Sequence, residues 1–87
     1  MFYTYILYSL KDRKLYTGYT QDLKKRVKEH NNGVNFSTKH RRPLRLIYYE
    51  ASELDEDCKA REKYLKSGKG KAYLKSRLRR FLIQRSG

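Results

Sequence analysis

From Lys59 to Arg85 every charged side chain is basic except Glu62. A lone carboxylate in so positive a stretch has two uses. It can pair with Lys59 or Lys66 on a helix surface, the usual fate of a charged helical residue. Alternatively it can face a cleft at the edge of the core and ligate a cation. Among the nine tyrosines, Tyr5 and Tyr16 stand apart, because ten residues separate them and a short hairpin would bring them to neighbouring positions on one face. A phenol there can stack and fill the core or put its hydroxyl into a polar site. Arg26 and His30 are four residues apart, so on a helix they share a face one turn apart. Tyr3, Tyr8, Tyr48, Tyr49, Tyr64 and Tyr73 read as packing residues. Cys58 reads as a small apolar helix residue, and one cysteine with two histidines cannot complete a four-ligand structural zinc site.

These residues need elements to position them. The run "FYTYILY" from Phe2 to Tyr8 is aromatic and β-branched on both faces, which predicts a central strand. "SLKDRK" predicts a hairpin connection into a second strand, Leu15 to Tyr19. Thr20 is the expected N-cap of a helix with Asp22 in its first turn, and Asn31-Asn32-Gly33 its stop. Leu23, Val27 and His30 form that helix's inward stripe. A polar loop then leads past Pro43 to a third strand, "LRLIYYE", where Arg45 alternates with apolar positions and predicts an edge. The remainder predicts two helices broken near Ser67 to Gly70. The first is capped by Ser52 with Asp55 and buries Leu54, Cys58 and Leu65; the second buries Leu74, Leu78 and Phe81. The fold class is therefore α+β, a three-stranded antiparallel sheet flanked by helices in the order β-β-α-β-α-α, with residues 1–87 as one domain.

An 87-residue chain has a thin core, and its 22 Lys plus Arg against 9 Asp plus Glu give +13. Such a field repels itself unless an anion is near, so nucleic acid is the first expected partner. No stretch approaches the ~20 apolar residues of a membrane span and nothing resembles a signal peptide. A soluble, cytoplasmic protein is the expectation. Lys39, Arg41, Arg42 and Arg45, with Gly18 and Tyr19 beside the second strand, are the expected nucleic-acid contacts.

"YTY" at Tyr3 to Tyr5 followed by "YTG" at Tyr16 to Gly18 resembles the two half-motifs of the GIY-YIG nuclease family. Arg26, His30 and Glu62 in "AREKYLK" fall where that family has its helix arginine, its histidine or tyrosine, and its metal-binding glutamate. The likeness runs from about Tyr3 to Leu78 and is closest to the small free-standing bacterial members. It departs at Tyr3, Thr4 and Thr17 and in having no asparagine after Asn35. The resemblance implies a metal-dependent endonuclease acting on nucleic acid, DNA more than RNA. Tyr5 would be the general base on water, His30 the acceptor of its proton, and Tyr16 and Arg26 would orient the phosphodiester. Glu62 would hold one divalent cation, Mg²⁺ or Mn²⁺. The positive field of Arg26 and the metal is expected to favour the Tyr5 phenolate. The alternative from another class is a non-catalytic DNA- or RNA-binding module that keeps the fold and its basic surface.

Overall fold

The computed structural model describes residues 1–86, with side chains as far as Gln84. Strand β1 (Phe2–Ser9) lies between β2 (Leu15–Thr20) and β3 (Leu44–Ser52), antiparallel to both. The first strand is therefore central, as its two apolar faces require. Register places Tyr5 opposite Gly18 and Leu7 opposite Tyr16, so the two tyrosines do share a face.

Helices cover both faces of the sheet. On one, Tyr5, Leu7 and Leu44 pack with Tyr16 and Leu46 beneath Leu23 and Val27 of α1 (Leu23–Asn31). On the other, Ile6 packs with Leu65 of α2 (Asp55–Lys66) and Leu74 of α3 (Gly68–Arg77). Cys58 is wholly buried there, and Thr4 Oγ1 donates to its carbonyl at 3.0 Å, so the cysteine is a packing residue as expected. Helix α3 follows α2 after Ser67, whose hydroxyl accepts from Gly70 N at 3.2 Å. A side chain at Gly70 would collide with the backbone of Tyr64 and Leu65, so glycine is what lets the two helices close.

Three local expectations change. The cap of α1 is Asp22, whose carboxylate accepts from Lys25 N at 3.1 Å, while Thr20 stays in β2 opposite Tyr3. Asp outcompetes Thr because its charge also favours the helix N-terminus. Ser52 likewise remains in β3, paired with Phe2, and α2 begins after Leu54 with no side-chain cap. Leu54 turns the corner with 60% of its surface exposed and does not join the stripe of Cys58 and Leu65. The order β-β-α-β-α-α holds. Its last helical stretch divides at Leu78 into α3 and a short α4 (Arg79–Ser86), from which Phe81 meets the Tyr8 ring edge-on.

Candidate active site

Packing of α1 on the sheet brings its fully buried His30 between two phenols. The Tyr16 ring lies 5.2 Å from the imidazole, centroid to centroid, and Tyr5 Oη is 2.8 Å from His30 Nε2. The other ring nitrogen, Nδ1, is 2.7 Å from Thr38 Oγ1, which is also fully buried. Both nitrogens thus have partners, as a buried imidazole needs. Beside Tyr5 stands Gly18, where a methyl group would overlap the phenol's hydroxyl and ring. The glycine serves Tyr5 directly: it leaves room for that hydroxyl.

Arg26 sits one turn before His30 and reaches Glu29 at 3.5 Å. It is close enough to Tyr5 to lower its pKa, and Glu62 close enough to raise it. Burial is the larger influence, followed by Tyr16, and together they push the phenol well above its ordinary value. Arg26 pulls towards the phenolate as expected, and on its own it is outweighed by burial and Tyr16. Burial, then Arg26, lowers the His30 pKa, which keeps the imidazole neutral.

Neighbouring residues on α2 take different partners. Arg61 forks onto Glu50 with bonds of 2.7 and 3.1 Å, its guanidinium 5.0 Å from the Tyr64 ring and 4.9 Å from the Tyr73 ring. Glu62 pairs with Lys66 at 3.1 Å. The ion-pair reading of Glu62 is thus realised with Lys66, while Lys59 goes to Asp55 at 3.0 Å. The Glu62 side chain is 25% exposed and that of Lys66 56%, so the ammonium can swing away and leave the carboxylate open to a cation. Among the described residues no three His, Cys, Asp or Glu side chains gather into a metal site. A single carboxylate suits Mg²⁺ or Mn²⁺, whose remaining positions are filled by water and substrate phosphate.

The expected nucleic-acid contacts scatter. Tyr19 donates its hydroxyl to Asp55 Oδ1 at 2.6 Å and so ties β2 to the start of α2. Arg41, in a 3₁₀ turn (Lys39–Arg41), bonds Asp12 at 2.6 Å and anchors the loop to the β1–β2 turn. Arg45, exposed on the edge strand β3, lies over the Phe81 ring at 5.4 Å. Lys39 and Arg42 do come together, in a small cleft shared with Lys11 and His40. Two further residues had no role in the sequence reading. Thr38 begins the "TKHRRPL" segment before the third strand and was given no role there, since only the fold brings its loop beneath His30. Asn31, read as part of a stop, bonds the Leu44 backbone with both ends of its amide at 2.8 Å and joins α1 to β3.

A family model described as the GIY-YIG catalytic domain matches residues 1–80. The chain belongs to the GIY-YIG family. This GIY-YIG chain is 46% identical over 67 residues to a UPF0213 protein of Clostridium perfringens, covering 76% of this chain and 71% of the relative. It is 42% identical over 77 residues to a UPF0213 protein of Pediococcus acidilactici, covering 85% and 78%. A UPF0213 protein of Staphylococcus saprophyticus is 42% identical over 66 residues, covering 75% and 79%. No solved structure matches. The family is of nuclease type, which makes nucleic acid the substrate class. Among the described residues no helix is long and apolar enough to cross a membrane.

Proposed function

We propose that this chain is a divalent-metal-dependent endonuclease that hydrolyses phosphodiester bonds, in DNA ahead of RNA, by tyrosine-assisted attack of water. The observation that carries this reading is the 2.8 Å contact between Tyr5 Oη and His30 Nε2 beside side-chain-free Gly18. A phenol held neutral by burial is a poor base alone. Coupled to a neutral imidazole, it can accept a proton from water while its own passes to Nε2. The receiving tautomer carries hydrogen on Nδ1 and donates it to Thr38 Oγ1, which holds the ring in orientation. Arg26 supplies charge-assisted hydrogen bonds to the phosphate and Tyr16 packs the imidazole in place. Glu62 would hold the cation, whose charge stabilises the leaving oxygen when it is bound.

Burial of Tyr5, which opposes ionisation, favours the second reading, a binding module that keeps the fold. One experiment separates the two. Wild type and Glu62→Gln are compared on flapped, branched and single-stranded DNA and RNA with Mg²⁺, Mn²⁺ or chelator. The amide keeps the size and loses the charge, so cleavage should vanish while binding is kept. Undiminished cleavage by Glu62→Gln would remove the metal assignment, and binding by wild type without metal-dependent cleavage would establish the module.

A further inference from the structure

A cleft of about 540 Å³ opens where β2 meets α2, α3 and α4. Leu15, Leu65, Leu74 and Leu82 contribute apolar surface, and Arg13, Lys14, Lys66, Lys71 and Lys75 line it with cations. Among the described residues no carboxylate lines it. Among the described residues, Arg13, Lys14, Lys71 and Lys75 form no ion pair, although Asp12, Glu29, Glu50, Asp55 and Glu62 all engage other bases. The cleft also touches both halves of the candidate active site, since Tyr16 lines it and Lys66 is the partner of Glu62.

Uncompensated cations around an apolar floor have a specific complement. A phosphate alone would satisfy the lysines and leave the leucines against water. A duplex offers phosphates on a convex surface and keeps its base faces stacked inside. An unpaired strand presents both at once, phosphates along one side and free base faces on the other. We infer that this cleft binds an unpaired nucleic-acid strand flanking the scissile phosphate, with bases on the leucine floor and phosphates on Lys14, Lys71 and Lys75. The inference rests on the nuclease reading for its substrate class. It adds that the substrate has a single-stranded arm, as in a flap, a fork or a free strand.

Fluorescence anisotropy in chelator tests this without any cleavage. The probes are a labelled single strand, a blunt duplex of equal length, and a strand of the same length made of abasic sites, in deoxy and ribo forms where available. Lys71→Ala/Lys75→Ala is compared with Lys24→Ala/Lys28→Ala, an exposed pair on α1 that lines a different cleft. The cleft pair should weaken single-strand binding about tenfold and lower its log K against log salt slope by about 1.4, near 0.7 per lost phosphate contact. Duplex binding should change less, the α1 pair should have the smaller effect, and the abasic strand should bind more weakly than the natural one. Equal losses for single strand and duplex, or an abasic strand bound as well as the natural one, would overturn the inference. Cleavage of the same probes by wild type in Mg²⁺ reports the nuclease reading separately, so a duplex-cutting enzyme would sink the cleft assignment alone. Lys71 and Lys75 are exposed, and circular dichroism of the variants confirms that a change in binding is not a change in folding.

Discussion

In the proposed mechanism, His30 sets the pH range in which Tyr5 can pass on its proton. Only the neutral imidazole accepts at Nε2, and burial with Arg26 lowers its pKa from 6.5. Cleavage should therefore stay level as pH falls through about 6.5 and drop with unit slope only below the lowered value. A kcat profile that turns down at or above 6.5 would contradict this. The same shift makes stability pH-dependent. Because the folded pKa lies below the unfolded one, this contribution is whole above about 6.5 and is lost as pH falls through the folded pKa. Thr38 is the second test at this scale. Thr38→Val keeps the shape and removes the partner of Nδ1, at a cost of about 1–3 kcal/mol for an unsatisfied buried group. Urea melts should show that loss, Thr38→Ser should recover most of it, and ¹⁵N shifts of His30 should report a tautomer change in the valine variant alone. The meeting of Tyr5, Tyr16 and His30 was legible in the sequence because their spacing survives in one dimension, and the fold brings the three together; Arg26 and Glu62 stand nearby in ion pairs of their own. The role of Thr38 was not legible, since its contact exists only after a loop folds under α1. The depth at which Tyr5 is buried was not legible, because it cannot be weighed against one nearby arginine before the core is built.

At the scale of elements, patterns of several residues read more truly than single caps. "FYTYILY" has no polar face, and the strand it forms is central. Leu23, Val27 and His30 recur with helical spacing, and all three turn inward. The caps of α1 and α2 were misplaced because Thr20 and Ser52 are also good strand-end residues, and ladder pairing with β1 claimed both. Asp22 is the working cap, so Asp22→Ala should destabilise the protein by about 1 kcal/mol and Thr20→Ala by less. Denaturant midpoints of the two variants check this; equal losses would return the cap to Thr20. The bend at Leu78 had no Gly or Pro to announce it, which is why one helix was expected where α3 and α4 stand.

For the whole molecule, +13 is the dominant fact: 22 Lys plus Arg outnumber 9 Asp plus Glu, so that excess has no carboxylate of the chain to pair with. Self-repulsion weakens the compact state, and a polyanion that binds it should raise its melting temperature. Saturation to about a hundred times Kd corresponds to about 2.7 kcal/mol. Thermal melts with a single-stranded oligonucleotide or heparin should show the rise and lose it in high salt; an unchanged midpoint would mean that the polyanion binds the folded chain no better than the unfolded one. One feature of the loop reaches further than its size. Arg41 grips Asp12 in the β1–β2 turn, the Arg41 carbonyl accepts from Ser9 Oγ at 2.6 Å, and three residues earlier Thr38 holds the imidazole. The Arg41 guanidinium bonded to Asp12 lowers its carboxyl pKa to about 2, below the usual carboxylate range. The loop is a tether with one end on an exposed turn and the other on His30, the proton acceptor of the proposed mechanism. Slack introduced at Asp12 should be felt at His30, and a search for inactivating changes should find them in the sheet's first hairpin turn as well as in the site.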